Sequence, residues 1–164
     1  MEYRAYSKKL KIMVYGDTPG YSAQIFPSGG CSVWMDAVCD EAARPSYYVG
    51  IKDKNGKKIY TGDVWIDTQK LKRQAFVRAY YYIATYIKEY TRYAWLTTEE
   101  YEEYLENGVD ALDWSSVETY GIFEAESSKY EVVGNIFEKP KYLSLTTCVI
   151  NTRQQNLDGT KIKH

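Results

Sequence analysis

Apolar and polar residues alternate along most of this chain, and that period predicts strands far more often than helices. Tyr3-Arg4-Ala5-Tyr6, a polar Ser7-Lys8-Lys9 turn, and Leu10 to Tyr15 with Ile12 and Val14 on one face predict a hairpin, ended by Gly16, Asp17, Pro19 and Gly20. Residues 16–46 are weakly periodic and rich in Gly, Pro and Ser; within them the short apolar run Cys31 to Val38 reads as an edge strand. Tyr47 to Ile51, then Asp53-Lys54-Asn55-Gly56, then Lys57 to Tyr60 predict a second hairpin, because Asn-Gly supplies the positive φ of a tight turn. Gly62-Asp63 turns the chain again, into Val64-Trp65-Ile66.

From Gln74 to Ile87 two periods coexist. Ala75, Val77, Ala79, Tyr81, Ile83, Thr85 and Ile87 alternate as in a strand, whereas Phe76, Tyr80, Ile83, Ile87 and Tyr90 fit a helical stripe. The β-branched and aromatic content favours strand, with a further strand over Arg92 to Leu96. One helix is predicted, near Thr98 to Asn107. Thr97 and Glu100 form a capping box, Leu96 staples to Tyr101, and Gly108 ends the helix as a left-handed cap with Val109 packed back on Tyr104. Tyr101, Tyr104 and Leu105 then form the buried stripe, with Glu99, Glu102, Glu103 and Glu106 opposite, followed by Asp110. Val117 to Glu126 and Tyr130 to Phe137 read as two more strands, and the tail from Asn151 is polar. The expected fold is mainly β (α+β): a small barrel-like or curved antiparallel sheet domain with one capped amphipathic helix.

Composition narrows the chemistry. The single histidine, His164, is the last of 164 residues, which disfavours Ser/His/Asp, Cys/His and histidine-anchored metal chemistry. Cys31, Cys39 and Cys148 form no C-x-x-C pair, so neither a disulfide framework nor a zinc knuckle is expected. The 18 tyrosines suit half-buried strands and contact surfaces, including the faces of a homodimer. No apolar run is long enough to span a membrane and the N-terminus is polar, which predicts a cytoplasmic chain with no membrane partner. The formal net charge of −1 conceals an asymmetry: Thr97 to Glu131 holds eleven acidic residues against one lysine, a net of −10, and the remainder carries +9.

Three stretches in order carry a family resemblance: Tyr3-Arg4-Ala5-Tyr6 with Lys11-Ile12-Met13; Asp53-Lys54-Asn55-Gly56-Lys57-Lys58-Ile59-Tyr60-Thr61-Gly62-Asp63-Val64; and Glu131-Val132-Val133-Gly134-Asn135-Ile136-Phe137-Glu138-Lys139-Pro140. They resemble the YopX family of small phage and prophage proteins. Lys58, Thr61, Lys139 and Lys141 depart from the family pattern, where glutamates or an asparagine are usual. The resemblance covers residues 1–143 and leaves 144–164 as a partly disordered extension. It implies a β-rich fold, a phage origin and a host cytoplasm, and it implies no reaction. The motif residues read as architecture: Gly56 and Gly62 in turns, Asn55 and Asp63 capping backbone groups, Gly134 at a bulge or a close approach.

Two function classes stand against each other. In the first, Glu99, Glu102, Glu103, Glu106, Asp110 and Asp113 form a partner-binding surface. It would dock on the basic nucleic-acid groove of a host protein, for instance a defence nuclease inhibited in the manner of an anti-CRISPR protein. Such a protein has no catalytic residue, metal or cofactor. In the second, Lys54, Lys57, Lys58, Tyr60, Trp65, Lys72 and Arg73 bind nucleic acid across a hairpin face; a pI near 5.9 weighs against it. Asp110 with Asp113, or Asp36 with Asp40, has the spacing for a carboxylate pair, as chance among 22 acids also supplies.

Overall fold

The structure is a computed structural model and describes residues 2–36, 38–70, 76–114, 118–119, 130–144 and 148–151. Two open antiparallel sheets make up the fold, and neither closes into a barrel. The first contains β1 (Tyr3–Ser7), β2 (Ile12–Tyr15), β3 (Ser22–Ile25), β4 (Cys31–Met35) and β5 (Val38–Lys52) in the order β2-β1-β5-β4-β3, with β6 (Lys58–Tyr60) paired to β5. The second contains β7 (Asp63–Lys70), β8 (Phe76–Ile87), β9 (Arg92–Thr97), β10 (Glu118–Thr119) and β11 (Val132–Asn135) in the order β10-β9-β8-β7-β11. There β12 (Cys148–Asn151) pairs with β8. The helix α1 spans Thr98–Asn107, and 3-10 turns occupy Val109–Ala111 and Pro140–Ser144. Among the described residues no helix is long and apolar enough to cross a membrane.

The strand reading of residues 76–87 holds, and the packing explains why a helical stripe also showed. Both faces of β8 are covered. On one, Ala84 joins Trp65, Trp95, Val49, Ile59, Tyr130 and Val132, so the β5–β6 hairpin lies on the second sheet. On the other, Ile83 and Ile87 meet Val64, Ala94, Leu96, Leu112 and Ile136, with Tyr101, Tyr104 and Tyr142 above them. A strand buried on both faces carries apolar residues at odd and even positions, and a helical spacing can then be picked out by accident.

One expectation needs correction, one strand is longer than its sequence pattern implies, and two readings fall largely outside the described residues. The run Cys31 to Val38 is no edge: β4 lies between β5 and β3, and β3 takes the edge. Its strand was masked by its exposure pattern, because β3 is half in solvent and carries Ser22 and Gln24 on its open face. β5 is 15 residues long and runs through Pro45, which pairs with Ala5. The strand expected over Val117 to Glu126 is described only at Glu118–Thr119, and the tail beyond Asn151 lies outside the described residues.

The expected turns stand. Gly56 has φ 78°, and the carboxylate of Asp53 accepts from the N–H groups of Asn55 and Lys57, each at 2.9 Å. The capping side chain is thus Asp53, while Asn55 supplies a backbone donor. Gly134 lies at a register shift between β11 and β7, and a Cβ there would stand 2.5 Å from the Tyr142 ring. It is both bulge and close approach.

Candidate functional site

Helix α1 starts where its sequence says. The Thr97 side chain accepts from Glu100 N at 3.2 Å and the Glu100 carboxylate accepts from Thr97 N at 2.8 Å. At the other end Gly108 N–H donates to Tyr104 O at 3.0 Å, but with φ 78° and ψ −167° Gly108 is extended in ψ and not left-handed helical. Tyr101 and Tyr104 pack toward Leu96 and Leu112, with Val109 beside them. Burial pushes the Tyr101 hydroxyl pKa up, and burial with Glu89 nearby does the same for Tyr104.

Leu105 departs from the expected stripe: it is 64% exposed. At 3.6 residues per turn it lies on the same side as Thr98 and Tyr101, one turn further along the axis, but it joins neither of the clusters that Tyr101 packs against. Glu99, Glu102, Glu103 and Glu106 are all exposed and fall within an arc of about 100°. Asp110 and Asp113 continue the exposed acid beyond the helix. Leu105 borders this face, three residues from Glu102 and next to Glu106. The last turn has no basic residue, and Glu106 there opposes the helix dipole at a cost of about 0.3–1 kcal/mol. Packing through Tyr101 and Tyr104 holds the helix in spite of its charge order.

The lysine face loses its rings. Tyr60 is 4% exposed and Trp65 5%, against the expectation that both stack on bases. Trp65 lies against Tyr82 at 4.6 Å and Tyr130 at 4.2 Å in the core between the sheets. Lys54 is paired with Glu131 at 2.5 Å and Lys58 with Glu2 at 2.7 Å, while Lys57 is exposed; Lys72 and Arg73 lie outside the described residues. Asp36 is exposed, whereas Asp40 is buried, so that pair shares no site. Among the described residues no three of His, Cys, Asp and Glu come together as metal ligands.

What the sequence reading missed is a buried polar junction that ties the three motif stretches together. Arg4 of β1 and Asp63 of β7 form an ion pair, at 2% and 0% exposure. Asp63 also accepts from Tyr60 N at 2.9 Å and from Asn135 Nδ2 at 3.1 Å. Asn135 in turn accepts from Phe137 N at 2.8 Å, and the second Asp53 oxygen accepts from Val132 N at 3.2 Å. Arg4 and the adjacent Ala5 are both buried, so β1 is covered on both faces, and a charged residue in a short strand reads as solvent-facing. Gly62 belongs to the same junction: its φ is 83°, and a Cβ would stand 2.7 Å from Phe137.

The YopX protein family model matches residues 2–144 of this chain. Among solved structures, protein yopX from Bacillus subtilis is 17% identical, with 89% of this chain and 98% of that chain covered at a TM-score of 0.48. Protein EF1440 from Enterococcus faecalis is 20% identical, with 87% and 96% covered at 0.47. No curated protein matches.

Proposed function

This chain belongs to the YopX family, and from that premise we propose that it is a non-enzymatic binding protein whose acidic helix face docks on a basic surface of a partner protein. The observation that carries the reading is Leu105: an apolar side chain 64% exposed at the border of four exposed glutamates. Acid alone is a solvated surface, whereas acid beside an apolar anchor is the composition of a contact surface with a polar rim. Glu106 supports it, because a carboxylate kept where the dipole disfavours it serves something other than helix stability.

Carboxylates fixed along a helix mimic the charge of a nucleic-acid backbone, so the partner class that fits is a protein with a basic nucleic-acid groove. In the phage setting the resemblance implies, that partner is a host protein in the cytoplasm, with a defence nuclease inhibited by occlusion as the reading of most interest. The nucleic-acid alternative is less favoured, since Tyr60 and Trp65 are buried.

The test is quantitative affinity capture from host lysate with the wild type, a quadruple reversal (Glu99, Glu102, Glu103 and Glu106 to Lys) and a reversal of Lys54, Lys57 and Lys58 to Glu. The expected result is a protein partner lost only by the glutamate reversal and released by salt. Equal capture by all three chains, or recovery of nucleic acid that only the lysine reversal abolishes, contradicts the reading.

A further inference from the structure

A groove outside the helix face lies between β1, the end of β2 and β6, and encloses about 540 Å³, within the range of small-ligand sites. Arg4 is among its lining residues and is 2% exposed. A guanidinium has five N–H donors. Here Nε donates to Ser46 Oγ at 3.4 Å, one Nη1 donor to the Tyr15 hydroxyl at 3.5 Å, and one Nη2 donor to Asp63. Two donors are taken by no described residue.

The rings around it are placed for stacking. Tyr60 covers the guanidinium with its centroid 4.5 Å from Cζ, and Tyr15, 5.9 Å from Cζ, is 39% exposed and forms a wall open to solvent. Of the two acids that line the groove, Glu2 is engaged and Asp17 is exposed. Glu2 accepts from Lys58 Nζ at 2.7 and 2.8 Å and from the Tyr60 hydroxyl at 2.8 Å. Asp17 lies close enough to raise the Lys58 pKa further, behind the larger effect of Glu2. Lys57 is exposed on the rim, and among the described residues none takes the two remaining donors of Arg4.

The geometry points to a binding site for a small planar molecule carrying an anionic oxygen group, phosphate or carboxylate, with its ring on Tyr15 and its anion on Arg4 and Lys57. Buried arginine donors recognise such oxygens, and aromatic walls fix the plane.

The experiment is calorimetric titration of the full chain with adenosine monophosphate and with benzoate, with adenosine and inorganic phosphate as fragments. The expected result is one-to-one binding of one anion, and which of the two binds assigns phosphate or carboxylate. Lys57→Glu should weaken it by about tenfold, roughly 1.4 kcal/mol, and Tyr15→Leu by a similar factor. Lys57 is exposed, so its variant should melt like the wild type and keeps the test decisive if Tyr15→Leu perturbs the fold. Failure of both anions to bind at millimolar concentration overturns the site. So does binding that Lys57→Glu leaves unchanged, or inorganic phosphate binding as tightly as adenosine monophosphate.

Discussion

Asp40 shows how much one buried carboxylate can organise. It accepts from the Ser7 hydroxyl at 2.6 Å and from Lys9 N and Ala42 N, each at 3.1 Å, so it ties the β1–β2 turn to the start of β5. The Ser7 bond is the main cause that holds its pKa below the ordinary 3.8, against the opposing pull of burial. A depressed folded value means that its stabilisation is complete above the unfolded value and fades as pH falls through the folded one. The melting temperature of the wild type should therefore drop more steeply than that of Asp40→Asn as pH falls below about 4. Parallel acid profiles for the two chains would assign the drop to other carboxylates.

Among the elements, α1 was the most legible and also held the clearest error. Thr97, Glu100 and Gly108 set its ends through backbone bonds that need only local sequence, and those bonds are present. Its buried face depended on what the rest of the fold sets against the helix, which no helical period encodes, and so Leu105 read as core while standing in solvent. Tyr101→Ala should cost about 2–4 kcal/mol through lost area and a cavity, whereas Leu105→Ala should stay within about 0.5 kcal/mol. Denaturant midpoints of equal shift for the two would return Leu105 to the core. The β3–β5 segment was illegible for a related reason: edge exposure and a bulge between Cys31 and Val33 break the alternation by which strands are recognised. Asn55-Gly56 was legible because a positive φ is a demand on one residue, independent of what packs nearby.

At the scale of the molecule, two sheets are joined by charged residues from distant parts of the chain. Arg4, Asp63 and Asn135 bring the three short motifs together: each supplies one member of a buried network that only the folded chain assembles. Removing one member leaves an uncompensated buried charge, so Arg4→Met should destabilise by about 3–5 kcal/mol, and the double variant Arg4→Met with Asp63→Leu by less. A double variant no more stable than the single one would mean that the pair is not the source of the loss. The opposite side of the second sheet carries the acid, on a helix that lies outside the three motif stretches. The most direct test of the proposed docking face keeps every carboxylate and alters only the anchor. Binding of the captured partner, measured at low salt, should fall by about tenfold or more in Leu105→Ser while the melting temperature stays near that of the wild type. Unchanged affinity in Leu105→Ser would contradict the account.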